Sequence, residues 1–498
     1  MPHTTTTVQE PQPLALTGEV LNLRAWKMPD MVVYQHAPEE WWLTPLDDAL
    51  PLIRLNRLGI ELLLSLNGNV TVGWALERFG KWVCGPDGET GRWHLERWSL
   101  PRYSLCFFGT EPPNAGRHGA QWDLLLQHIR ERWSGREGFE GETHLSEFHL
   151  HEITQQDGHF DNIETTVSHL FREPSEAFQG LSYGRLLGRT LKHMGWWTPK
   201  PKVVLEVGAG LGYVSREFGA ELTSAERQGI RYLFADITRP FLSSQLTRAR
   251  EGGWQARALH GNAEWLPLRD ASVDLVIANE NLADLTPVQL TPDAVLSRKG
   301  HTPLHQEALD WITRLRLTLE EPLPAEFIFN LGPIRFLSEL WRVLKPGGRA
   351  ILIEFGVDRG WPQPVKLPGH TEYEVQYSHL RHMAKWLGFQ EHYLPLPHFF
   401  RLRPDTKLLC TGAVYAIQRF CEAEGKTFAV RAYTEPELKD TLGSMLPKLL
   451  GCHYHDISDP AWFGLSDFRV LLVEKPGAIL RQSAYRETKG FRFYSQGR

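Results

Sequence analysis

The residues best suited to chemistry lie in the middle of the chain. Glu206 is the fourth residue of a short apolar run, Val203 to Val207, and Gly208, Gly210 and Gly212 follow that run at once. Glycines let a backbone approach a ligand closely. The spacing of Val214 and Phe218 predicts a helix after them, and a helix start presents free N–H groups. Strand, glycine turn and helix together make a cradle for a nucleotide-type ligand. On this segment alone the alternative is a tight turn that binds nothing, since a dinucleotide fingerprint needs Gly-x-Gly-x-x-Gly and the third glycine here comes one residue early. Acidic and amide side chains recur at the ends of later apolar runs. Asp236 ends one, Asn262 and Ala263 follow a second, the pair Asn279–Glu280 stands at the tip of a third, and Glu354 lies near the end of a fourth.

Those groups need a sheet to bring them together. The runs at 203–207, 231–235, 256–260, 273–278 and 349–355 read as buried strands, with helical patterns at 184–194 and after Pro240 between or before them. A last run, Phe468 to Val473, reads as an antiparallel closing strand. The predicted fold class is α/β, a Rossmann-like seven-stranded domain over 175–480. Ligands in such sheets bind beyond the carboxyl ends of the strands, where the groups above stand. Two insertions interrupt the pattern, at about 286–330 and 400–465. The first carries a helix with Leu304, Ala308, Trp311, Ile312, Leu315 and Leu319 on one face, read equally as a core-packed helix and as a lid. Cys452, His453 and His455 in the second lack another ligand pair nearby in sequence, so no metal site is predicted.

The front of the chain is organised differently. Residues 1–17 are polar, Pro- and Thr-rich, and read as a flexible tail. Strand-like pieces at 31–34, 40–43, 49–53, 93–95 and 103–108 surround two helical patterns. Asn56 and Thr71 are N-caps, and Asn67–Gly68 is a stop. These make a small α+β domain over 18–115. A helix through Trp122, Leu125, Leu126, Ile129 and Trp133 opens a helical linker at 116–174, whose His144, His149, His151 and His159 read as loop histidines. Residues 481–498 form a second tail.

Composition sets the outer bounds. At 498 residues the chain exceeds what one core supports, so several domains are expected. A net charge of −5 indicates no general attraction to nucleic acid or anionic membranes. There is no apolar run of membrane-spanning length and no basic-then-apolar start. Five scattered cysteines without Cys-x-x-Cys fit a reducing cytoplasm.

Three resemblances sharpen the reading. Glu206 before Gly-x-Gly-x-Gly resembles class I S-adenosylmethionine (SAM) methyltransferases. The resemblance implies SAM as cofactor, with Glu206 at its methionine amino end, the glycines Gly208, Gly210 and Gly212 beneath it, Asp236 on the ribose hydroxyls, and Asn262 with Ala263 at the adenine. Leu181–Gly188, Tyr232–Arg250, Ala278–Val288, Ile353–Gly356 and Leu367–Leu380 together resemble the bacterial and mitochondrial family that includes the complex I assembly-factor arginine methyltransferase. Two departures are visible: Leu211 replaces the family's arginine between glycines, and the aspartate after Asn-Glu comes late, at Asp284. This resemblance implies Asn279 and Glu280 at the acceptor, with Glu280 orienting it and Glu354 as partner or base. Leu55 to Val72 resembles PqqD-like winged-helix modules, the recognition elements that bind the leader of a ribosomally made precursor peptide. It implies a leader-binding surface in residues 20–110. The expectation is a cytoplasmic SAM-dependent enzyme that methylates a peptide or protein side chain, arginine favoured, in the maturation of ribosomal peptides, with a homodimer as its assembly. The alternatives are a small-molecule N- or O-methyltransferase whose front domain only dimerises, and a non-catalytic SAM-binding assembly factor.

Overall fold

The computed structural model describes residues 16–27, 31–44, 52–99, 105–109, 166–197, 200–319, 322–367, 370–459 and 464–477. The predicted helix at Trp122–Trp133, the loop histidines at 144–159, the strand piece at 49–51 and most of both tails lie outside them. The chain divides into two compact units, Met1–Gly135 with Asp405–Phe463, and Arg136–Pro404 with Gly464–Arg498.

The second unit is built on one large sheet. Its strands are β1 (Val203–Val207), β2 (Arg231–Asp236), β3 (Gln255–His260), β4 (Val273–Asn279), β5 (Leu344–Val357), β6 (Gln390–Pro395) and β7 (Phe468–Glu474). Their order in space is β6-β7-β5-β4-β1-β2-β3. All pairings are parallel except those of β7, which runs antiparallel to β5 and β6. All five residues of β1 are buried, because helices cover both faces of a parallel sheet and leave its central strands no polar side. The sheet reverses its winding between β1 and β4, where Val207 lies opposite both Ala235 and Ala278. That reversal opens a crevice at the strand tips. The long apolar core runs from β1 and β4 through the helices Leu331–Val343 and Tyr377–Leu387. The first insertion is bracketed by a two-stranded ladder, Val288–Leu290 with Phe327–Phe329. Its helix, Pro303–Leu315, buries Ala308, Leu309, Ile312 and Leu315 in that same core, as a core-packed helix does.

The first unit contains the meander Val32–Ala37, Glu40–Thr44 and Ile53–Asn56, followed by helices Arg57–Ser65, Val72–Phe79 and Gly91–Trp98. Asn56 and Thr71 accept hydrogen bonds from the Gly59 and Trp74 amides as N-caps. Trp93–Leu95 lies in the third helix, although its aromatic content suggested a strand. Thr90 caps that helix, and His94, Leu95 and Trp98 give it a buried face at helical spacing. The contiguous apolar strands of the meander are explained by burial on both sides. Val33, Leu43 and Leu55 face the helices just named. Val32, Tyr34 and Trp42 face Leu409, Ile417, Phe420 and Leu438, from the stretch expected as a second insertion at 400–465. In sequence that stretch interrupts the large-sheet domain. In space residues 405–463 belong with the N-terminal residues, and Leu449–Leu450 pairs with Val33–Tyr34 at the sheet's edge.

Candidate active site

The crevice at the tips of β1, β2 and β4 is a cleft with about 1070 Å³ of non-atom space, open solvent included. Glu206, Gly208, Gly210, Asp236, Asn262, Ala263, Asn279 and Glu280 all line it. Gly212, the N-cap of the helix Tyr213–Glu221, stands just behind the loop.

Beneath the loop the glycines are required by geometry. Gly208 has φ +64°, and a Cβ there would lie 2.7 Å from the side chain of Asn281. At Gly212, φ is +87° and a Cβ would meet Gln245 at 2.8 Å. Glu206 is 1% exposed and accepts a 2.7 Å hydrogen bond from the Tyr232 hydroxyl. Burial pushes its carboxyl up to about 8; the Tyr232 bond opposes this, and the nearby Asp236 charge adds to it. Asp236 is fixed by the Thr238 amide (2.8 Å) on one oxygen and by Gln245 Nε2 (2.6 Å) on the other. Gln245 also donates to the Gly210 carbonyl, so one amide ties the end of β2 to the glycine turn. Asn262 caps the short turn Ala263–Trp265 through its Oδ1, which accepts from the Glu264 amide at 2.8 Å. Glu264 is held in turn by Thr286 and by Arg335, whose guanidinium forms a second pair with Glu307.

The corner expected to hold the acceptor stands at the tip of β4. Asn279 accepts a 2.5 Å hydrogen bond from the buried Tyr183 hydroxyl and donates to Glu280 Oε1 at 2.8 Å. Glu280 has φ +54°, uncommon for a residue with a side chain. Its carboxylate accepts from the backbone amides of Val167 (2.7 Å) and Ser168 (3.0 Å). It therefore clamps the first turn of the helix Val167–Leu170, and Thr166, Ser168 and His169 complete the cleft lining. Burial raises the Glu280 carboxyl above the ordinary range, while these three hydrogen bonds pull it back.

Glu354 is placed otherwise than the sequence suggested. It is 1% exposed and absent from the cleft lining. It accepts from the amides of Leu282 (2.8 Å), Ala283 (3.2 Å) and Phe355 (3.0 Å). Its expected place facing the crevice is corrected to that of a cap on the turn after β4. The physical reason is the strand's alternation, which turns this side chain under that turn rather than into the cleft.

Several supporting groups were given no role by the sequence. Tyr183, Tyr232 and Gln245 stand behind the cleft lining and orient Asn279, Glu206 and Asp236. His169 comes from a stretch read as linker. It is 3% exposed and packs edge-on to Tyr213 at 5.2 Å.

The cleft's electrostatics have one sign. Glu206, Asp236, Glu264, Glu280 and Asp284 line it, and among the described residues no lysine or arginine does. Glu264 is neutralised by Arg335, which leaves an acidic cavity. No cluster of three or more His, Cys, Asp or Glu side chains among the described residues could hold a metal ion.

Comparison with known proteins agrees with this geometry. Residues 204–296, which hold nearly all of β1 through β4 with Asn279 and Glu280, match a family model described as a methyltransferase domain. The chain is an enzyme of the methyltransferase class, with S-adenosylmethionine as its cofactor. No curated protein is significantly similar to it in sequence. Solved structures similar in fold include a TehB-like SAM-dependent methyltransferase from Corynebacterium glutamicum. It is 16% identical, with 59% of this chain and 88% of that one covered and a TM-score of 0.26. A phosphoethanolamine N-methyltransferase 2 from Haemonchus contortus, in complex with S-adenosyl-L-methionine, is 13% identical. There 68% of this chain and 61% of that one are covered, with a TM-score of 0.33. The YcgJ protein from Bacillus subtilis is 14% identical over 58% of this chain and 98% of its own, with a TM-score of 0.27.

Proposed function

We propose that the enzyme methylates a cationic nitrogen in a peptide or protein, arginine being the favoured side chain. The carrying observation is the acidic cleft, lined by Glu206, Asp236, Glu264, Glu280 and Asp284, with no lysine or arginine in its described lining. Such a cavity favours a cation on both sides of the reaction: the sulfonium cofactor and a charged acceptor. An anionic acceptor would meet like charge in a low-dielectric space.

The chain's own groups fit the cofactor part by part. Gly208 and Gly210 give close backbone approach, Asp236 presents a carboxylate where the ribose hydroxyls would lie, and Asn262 with Ala263 closes the far end. Glu206 faces the amino end. The cofactor supplies an electrophilic methyl group. What the protein contributes is placement and charge. Glu280 is held in one orientation by Asn279 and by the helix at Val167–Leu170, and Oε2, which accepts one hydrogen bond against two at Oε1, retains acceptor capacity. A planar guanidinium suits such a carboxylate. Glu354 supports the corner through the turn it caps.

The front unit supports a peptide as substrate. Its meander ends in Ile53–Asn56, a strand at the edge of its sheet. An extended leader would add beside it by backbone hydrogen bonding. This is the recognition expected of a PqqD-like module.

The test is methyl transfer from labelled cofactor to matched synthetic peptides carrying Arg, Lys, Ser or Asp at one position, read by mass spectrometry. Transfer to Arg is expected. At saturating cofactor Glu280→Gln should slow single-turnover transfer by a factor of 100 or more, on the order of 3 kcal/mol. Modification of Ser or Asp, or a Glu280→Gln rate within a few-fold of the natural enzyme, would overturn the cationic-acceptor reading.

A further inference from the structure

Asn281 stands two residues past the tip of β4, beside the first glycine of the loop. It is 7% exposed, and it lines the cleft. Its Oδ1 is buried and has no hydrogen-bond donor among the described residues. Its side chain lies over Gly208, at the place where a Cβ on that glycine would fall. A buried amide oxygen left without a donor costs about 1–3 kcal/mol, and native structures rarely leave one so.

The cleft's composition says what kind of donor completes it. Hydroxyls line the cavity, but none of them, nor any other donor among the described residues, bonds this oxygen, and no lysine or arginine lines the cavity, so the donor comes with a ligand. The other acceptors are spoken for by position. Asp236 stands at the end of β2 and Asn262 beyond β3, on the side of β1 away from Asn281. Asn281 shares the β1–β4 side with Glu206, Gly208 and Asn279.

Resting on the methyltransferase reading, we infer that Asn281 is a cofactor-positioning residue whose Oδ1 accepts a hydrogen bond from the ammonium group at the amino-acid end of the cofactor. An ammonium carries three donors and needs more than one acceptor. Glu206 supplies charge and Asn281 supplies a fixed, uncharged oxygen. Because Asn281 also rests on Gly208, it couples the tip of β4 to the glycine turn and fixes the amino-acid end against both.

Calorimetric binding to the full chain separates this role from a structural one. The two probes are S-adenosylhomocysteine and 5′-methylthioadenosine, which keeps the nucleoside and lacks the amino-acid chain. Asn281→Ala should weaken S-adenosylhomocysteine roughly tenfold or more and leave methylthioadenosine within twofold of the natural protein. Asn281→Asp keeps an acceptor oxygen and should restore most of the loss. If Asn281→Ala weakens both probes equally, or weakens neither, the inference is wrong. If the natural protein binds neither probe, the cofactor assignment itself fails, and that outcome is distinct from the first two.

Discussion

Glu206 lies between the Tyr232 hydroxyl and the Asp236 charge at 1% exposure, and there its carboxyl keeps a proton up to about pH 8. A cationic ligand end requires the charged form. Below that pH the proton must leave on binding, and the cost appears as lost affinity. S-adenosylhomocysteine should therefore bind more tightly as pH rises from 6 to 8, by up to about tenfold per unit, and level off above 8. Calorimetry in buffers of different ionisation enthalpy should also show proton release below pH 8. A flat profile would mean that Glu206 is already ionised, or stands clear of the ligand. At this scale the sequence was informative for groups at strand ends. Glu206, Asp236, Asn262, Asn279 and Glu280 are found by counting from apolar runs, because a strand end has a fixed address. Tyr183, Gln245 and His169 are not, since their partners lie 96, 9 and 44 positions away and no apolar periodicity links them. Asn281 was placed at the same strand tip but given no role of its own, because an amide in a turn looks ordinary until its missing donor is seen.

At the scale of elements, the corner at the tip of β4 depends on two carboxylates used as caps. Glu280 ends the orphan amides of the helix Val167–Leu170, and Glu354 ends those of the turn after β4. Unpaired amides at such places are costly. Glu354→Ala should lower unfolding free energy by about 2–4 kcal/mol, measured by denaturant titration of the full chain. Cofactor affinity should fall far less than stability does. A variant with natural stability and abolished transfer would return Glu354 to the chemistry. The central strands and the antiparallel last strand were legible, since buried parallel strands read as unbroken apolar runs. β6 was not, because Gln390–Pro395 carries alternating polar residues and borders the sheet on one side only. The helix at Gly91–Trp98 was misread because tryptophan and histidine suit a strand as well as a packed helical face.

At the scale of the whole molecule, the chain passes from the first unit to the second, returns for residues 405–463, and leaves again. Sequence order alone hid this, as the contacts that tie Tyr34 to Phe420 span most of the chain. Removal of residues 1–135 is thus not a clean excision. It would strip Val32, Tyr34 and Trp42 from Ile417, Phe420 and Leu438, and expose that apolar face. The truncated chain should aggregate on expression, whereas removal of 1–135 together with replacement of 405–463 by a short linker should stay soluble and keep S-adenosylhomocysteine binding. Size-exclusion chromatography and calorimetry decide this. A soluble, monomeric chain lacking only 1–135 would show that residues 405–463 hold together by themselves.

The same return of the chain sets an order of events during synthesis. The strand Val32–Ala37 leaves the ribosome early, but its neighbour Leu449–Leu450 is among the last parts made. At about 5–20 residues per second the wait between them is roughly 20–80 s. Throughout that interval one face of the early meander has no partner, and β1 to β6 of the catalytic sheet are made before it gains one. The first unit is thus the first begun and among the last finished, and a nascent chain presents a cofactor site before that unit is complete.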